Sequence, residues 1–172
     1  MGTGSQGGEG EPRFGVRLAL DLGQARIGVA ACDPRATLAY PVETVPAGAG
    51  TLAADDPALA RLLALVAEYE PIEVVVGLPR SLRGDDGPAA LRIREQAGRL
   101  AAALAPAAVT VRLVDERFTT TTATQQLRAA GRAGRKQRQV VDQVAAVGIL
   151  EHALASERSG GQPPGELVST PT

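Results

Sequence analysis

A chain of 172 residues with a formal net charge of -1 and 44% hydrophobic residues can bury a core without disulfides or a structural metal. Its one cysteine and one histidine exclude an internal disulfide framework and the usual Cys/His zinc sites, and no apolar stretch approaches the roughly 20 residues of a membrane span. What remains for chemistry is carboxylates, hydroxyls and arginine, since the basic charge is 17 Arg and one Lys.

The first 13 residues, MGTGSQGGEGEPR, are Gly-rich and polar. They lack the basic and apolar regions of a signal peptide, which points to a cytoplasmic protein, and they read as a flexible tail. Val16 to Asp21 alternates, with Val16, Leu18, Leu20 and Leu22 on one face and Arg17, Ala19 and Asp21 on the other. After a break at Gly23, Ile27 to Cys32 reads as a second strand in hairpin reach of the first, and Tyr40 to Val45 as a third. Asp56-Pro57 supplies a cap and an N1 proline for a helix over 57–69. Ile72 to Val76 is a buried strand stopped by Gly77, Pro88 opens a second helix, and Val109 to Val114 is a fifth strand. Helical spacing returns over Thr122 to Ala130 and from about Gln137 to Ala155; the Gly/Pro/Ser segment from Ser156 reads as a second tail. The expected organisation is one domain over 14–155 between tails 1–13 and 156–172. Its class is α/β, a mixed sheet covered by helices.

Carboxylates fall at the ends of these elements. Asp21 ends the first strand, Asp115 and Glu116 end the fifth, and Asp142 lies in the last helix on a face with Ala146, Ile149 and Ala153. Taken singly, each has a plain explanation: a strand-ending turn, a surface ion pair, a helix residue paired with Arg138. Together they form a pattern suited to hard cations such as Mg²⁺ or Mn²⁺, which need no Cys or His. Asp85 and Asp86, in the Arg80 to Pro88 segment, are explained by turn formation and helix capping. Between Glu116 and Asp142 there is no acid, whereas Arg117, Arg128, Arg132, Arg135, Lys136 and Arg138 all lie there. Cations to neutralise a backbone, set beside carboxylates to hold metals, is what a phosphodiester substrate requires. Thr119 to Thr122 either cap a helix, with Thr120 or Thr121 as N-cap, or contact phosphate. Aromatic residues are too few for extended base stacking, so backbone recognition is expected.

Leu20-Asp-Leu-Gly23 with Arg26-Ile-Gly-Val-Ala30, Val76-Gly-Leu-Pro79, Val114-Asp-Glu-Arg-Phe-Thr-Thr120, Arg135-Lys136 and Val141-Asp-Gln-Val-Ala-Ala146 resemble, in order and spacing, the YqgF (RuvX-like) family. The resemblance implies an RNase H-like fold with a five-stranded mixed sheet and flanking helices. It also implies metal-dependent phosphodiester cleavage by Asp21, Glu116 and Asp142. The substrate it implies is the 5′ end of pre-16S rRNA in ribosome biogenesis or, in an earlier description, a Holliday junction in recombination and repair. The chain departs from the family pattern at Ala25, where Lys is common, and at Arg80-Ser-Leu-Arg83, where Asn and Met are usual. Neither departure touches the acids.

The resulting expectation is a cytoplasmic hydrolase with a two-metal Mg²⁺ or Mn²⁺ site, Asp21 bridging the ions and Glu116 and Asp142 completing their shells. Arg80, Arg83, Arg117, Thr119, Thr120, Arg135, Lys136 and Arg138 are the candidate nucleic-acid contacts. The expected partners are pre-rRNA or branched DNA and ribosomal precursor particles, with no membrane. A monomer suits the RNA substrate, and a homodimer a junction cut symmetrically. A non-catalytic RNA- or ribosome-binding module is the alternative of another class. An actin-like ATPase or kinase half also uses Asp-x-Gly but needs two domains, for which about 142 folded residues are too few.

Overall fold

A computed structural model describes residues 11–81, 83–116 and 135–170. Strands β1 (Arg17–Leu22), β2 (Arg26–Cys32) and β3 (Ala39–Pro46) come first. Helix α1 (Pro57–Tyr69), strand β4 (Glu73–Leu78), helix α2 (Pro88–Leu104) and strand β5 (Thr110–Asp115) follow, then helix α3 (Arg135–Gly160) and a short strand β6 (Glu166–Leu167). They form one sheet in the order β3-β2-β1-β4-β5-β6. The β1–β2 and β2–β3 pairs are antiparallel, β1–β4 and β4–β5 parallel, and β5–β6 antiparallel.

The alternation in β1 sorts the sheet into two faces. Leu18, Leu20 and Leu22 join Leu62, Leu65, Val74, Val76, Ile93, Leu100 and Leu104 in the larger core, under α1 and α2. Each fully buried leucine there contributes roughly 1.5–3 kcal/mol. Ala19, Ala30, Cys32, Val75 and Val114 face the other way and pack with Ala146, Ile149, Leu150, Ala153 and Leu154 of α3. Small side chains on the strands let this helix lie close across the sheet.

The helix start at Asp56-Pro57 is as the sequence predicts: the Asp56 side chain accepts from the Ala58 amide at 2.9 Å. Four boundaries differ from the sequence reading. The sheet has six strands, not five, because Glu166–Leu167 adds to the edge of β5. Helix α3 continues past Ala155 to Gly160, and Glu157 in its last turns is buried. Gly77 does not stop β4, which pairs through Leu78 with Asp115. Helix α2 is capped by Gly87, without a side-chain cap bond, rather than by Asp85 or Asp86. The predicted helix over Thr122 to Ala130 and the Thr120 or Thr121 cap lie outside the described residues.

Candidate active site

The parallel strands β1, β4 and β5 all end on the same side of the molecule. Asp21, Gly77 and Glu116 stand at those ends, and register and alternation put all three on the α3 face. Asp21 pairs directly with Gly28 of β2, and it stands one step beyond the Leu20–Val76 pair that joins β1 to β4. The Asp21 carboxylate is thus flanked by two glycines. A Cβ on Gly28 would collide with the Asp142 backbone of α3, and a Cβ on Gly77 would collide with the Glu116 carboxyl group and with Ile149. Each glycine clears the space that one further acid occupies: Gly28 admits Asp142, Gly77 admits Glu116.

Asp142 is pinned from the β2–β3 side. Arg26, two residues before Gly28 on the same strand face, donates through Nε to Asp142 Oδ2 at 2.6 Å; the two side chains are 34% and 15% exposed. The Arg138 partner that helical spacing suggested has its side chain outside the described residues. Thr44 of β3 donates to the Gln139 carbonyl at 2.9 Å and accepts from Gln143 Nε2 at 3.1 Å, which fastens the same stretch of α3. Sequence reasoning did not single out Arg26. The signal for it was its alternation with Gly28 and Ala30 on the strand beside Asp21.

Asp21, Glu116 and Asp142 therefore share one face and one end of the sheet. Among the described residues, no three carboxylate, His or Cys side chains stand close enough together to hold a metal ion, and Asp142 is engaged by Arg26 at 2.6 Å. The donors are carboxylates only, a set that suits Mg²⁺ or Mn²⁺. Asp115, one residue before Glu116, alternates onto the opposite face and does not join them.

Of the expected nucleic-acid contacts, Arg80 follows β4 at the acidic end and is held by Asp86, Nε to Oδ1 at 3.1 Å. Asp86 also accepts from Arg94 Nε at 2.6 Å, and these two guanidinium groups, Arg94 first, hold its carboxyl below the usual range. Asp86 is thus an ion-pair hub for the loop. Arg83 is exposed in the same loop, which turns through Gly84 N to the Ser81 carbonyl at 2.8 Å. Arg135, Lys136 and Arg138 begin α3, seven to four residues before Asp142, with side chains outside the described residues. Arg117, Thr119 and Thr120 also lie outside them.

Comparison with known proteins follows the same lines. The family profile "RuvX: Holliday junction resolvase" matches residues 15–156. A protein of Streptomyces coelicolor named "Putative pre-16S rRNA nuclease" is 61% identical over 157 residues, covering 91% of this chain and 89% of its own. One of the same name in Streptomyces avermitilis is 59% identical, covering 91% and 96%. Among solved structures, "T. thermophilus RuvC in complex with Holliday junction substrate" superposes with a TM-score of 0.54 over 87% of this chain and 98% of that one. At 19% identity this likeness shows a shared RNase H-like fold.

Proposed function

The chain belongs to the RuvX family, and from that premise we propose that it is a metal-dependent endonuclease acting on the 5′ end of pre-16S rRNA. The observation that supports this reading is the placement of Asp21, Glu116 and Asp142 on one face and at one end of the sheet. There, two glycines make the room that the outer two acids need.

Asp21, Glu116 and Asp142 are the residues that would hold divalent ions here, Asp21 standing between the other two. Such ions, when bound, activate water and stabilise the leaving oxygen of a phosphodiester. The protein's own part is to hold the three acids on rigid elements. Asp21 is fixed by ladders on both edges of β1, Asp142 by the close approach of α3 to Gly28, and Glu116 by the end of β5. Arg26 neutralises Asp142 through their 2.6 Å ion pair and stands beside the acids where a phosphate would lie. Arg83, Arg117, Arg135, Lys136 and Arg138 neutralise the backbone of the strand being cut, and Thr119 and Thr120 donate to its phosphates. The substrate places this work in the cytoplasm, on ribosomal precursor particles, by a protein that needs only one site.

The test is cleavage of pre-16S rRNA and of a four-way DNA junction in parallel, with Mg²⁺, with Mn²⁺ and with chelator. Metal-dependent cutting of the RNA is expected. Symmetric cutting of the junction alone, by a dimer, would replace the substrate. Binding without cutting in either metal would make the protein a non-catalytic RNA-binding module.

A further inference from the structure

At the opposite end of β1, roughly 20 Å from Asp21 by strand length, a cavity of about 410 Å³ is lined by Glu11, Pro12, Phe14, Arg35, Thr37 and Arg158. Its size falls within the range of small-ligand pockets. We infer that this cavity is a second nucleic-acid site that takes one nucleoside monophosphate unit, its base stacked on Phe14 and its phosphate held by Arg35 and Arg158. The identity of the ligand rests on the nuclease reading above; the cavity itself does not.

Three observations carry the inference. Phe14 is 76% exposed, yet it does not sit on a loose chain. Arg13 before it is bonded to Glu157 and Glu73, and Gly15 after it donates to the Pro34 carbonyl at 2.7 Å. A large aromatic ring is thus held out to solvent by an anchored backbone. Second, the loop carrying Arg35 and Thr37 is pre-formed. The Asp33 carboxylate accepts from the Arg35, Thr37 and Leu38 amides and from the Thr37 hydroxyl at 2.7–3.2 Å. These bonds, that from the Leu38 amide foremost, hold Asp33 at about 2. The Asp33 carboxylate therefore stays ionised and tied to its own loop. Third, the wall carries two guanidinium groups against one carboxylate, that of Glu11. Arg158 is steadied by donating to the Ala36 carbonyl at 2.8 Å, and the Arg35 side chain makes no ion pair or hydrogen bond among the described residues. An aromatic platform beside cations is the arrangement that holds single-stranded nucleotides irrespective of sequence.

The experiment uses the full chain in EDTA, so that no cleavage occurs. Binding of AMP is read by equilibrium dialysis, and binding of a fluorescein-labelled single-stranded octaribonucleotide by anisotropy. Both are measured for the parent, for Phe14→Ala and for Arg35→Gln/Arg158→Gln. The substituted side chains line a surface cavity, so melting temperatures should match the parent and register that folding is intact. Phe14→Ala is expected to weaken binding about ten-fold, the loss of one base–aromatic stack. The double variant should weaken it further and lower the salt slope by up to about two units. If the oligonucleotide binds far more tightly than AMP, the unit belongs to a strand; equal affinity marks a free nucleotide as the ligand. Parent-like binding of both probes by both variants overturns the site. Failure of the nuclease reading is read separately: a protein that never cleaves but binds AMP through Phe14 keeps this cavity, and one that cleaves but ignores these substitutions loses it.

Discussion

The two ends of the face under α3 both gather charge, and they treat it in opposite ways. At the end where β1, β4 and β5 begin, Arg17 is 1% and Glu157 4% exposed, and they meet at 2.6 Å. Glu73, also 1% exposed, takes Arg112 at 2.9 Å and Arg13 at 3.1 Å, and Arg13 closes the chain back to Glu157. Three cations and two acids are interlinked there, with Glu73, Glu157 and Arg17 sealed from water and Arg13 at the rim. Where these strands end, Asp21, Glu116 and Asp142 are only partly buried, and Arg26 pairs with Asp142 at 2.6 Å. Buried ion pairs tie elements together: here they fasten the N-terminal segment, β1, β4, β5 and the last turns of α3. Partly buried carboxylates stay within reach of a cation from solution. On the proposed reading, the same face is closed at one end and open for chemistry at the other.

The comparison breaks most visibly if the sealed end is opened. Glu157→Ala leaves the buried Arg17 guanidinium with the neutral Gly15 carbonyl at 2.9 Å in place of its carboxylate, and should cost about 3–5 kcal/mol, as loss of one partner of a buried pair does. Urea unfolding measures this, and cleavage per folded molecule should stay near the parent's. A loss of activity without a loss of stability would mean that the two ends are not separate in function.

Replacing Arg135, Lys136 and Arg138 together by Gln should weaken nucleic-acid binding and reduce the slope of log affinity against log salt by up to about three units. Thermal stability should barely change, since like charges so close along one helix repel one another and little favourable interaction is lost. An unchanged slope would move the substrate path toward Arg83.

The smallest effect sharpens the acidic end. Arg26→Gln removes the cation that holds Asp142. The cost in stability should stay within about 1 kcal/mol for so exposed a pair. Mg²⁺ affinity, read by calorimetry, should rise several-fold, because the ion no longer displaces a guanidinium. Weaker Mg²⁺ binding would mean that Arg26 orients Asp142 for the metal instead of competing with it.

Much of this was legible in the sequence. The alternation of Val16 to Leu22 placed Asp21 on the face opposite the leucines. The spacing of Asp142, Ala146, Ile149 and Ala153 put an acid on the packed side of the last helix, where Ala146, Ile149 and Ala153 are at most 2% exposed. What escaped depends on distant partners. Ser156 to Gly160 has the composition of a tail, yet Glu157 finds Arg13 and Arg17 more than a hundred residues away, and that pairing extends the helix. Glu166–Leu167 is too short and too Gly/Pro-flanked to read as a strand, and it exists because β5 offers an edge. Gly77 looked like a strand stop, whereas its role is to leave space for Glu116 and Ile149. Arg26 carried no motif of its own, since a cation's partner across a sheet has no sequence spacing.

The central claim is that the open end does the chemistry and that Asp21 is its hub. The most direct test is cleavage of pre-16S rRNA by rigorously purified Asp21→Asn beside the parent, over a Mg²⁺ titration, with RNA binding followed in the same samples. Asn keeps the shape and removes one charge, so folding and binding should persist while the cleavage rate falls more than about a hundredfold, beyond the loss expected for a residue that only supports a metal ligand. Cleavage at the parent's rate and Mg²⁺ dependence would contradict the account and send the search for the catalytic carboxylates elsewhere.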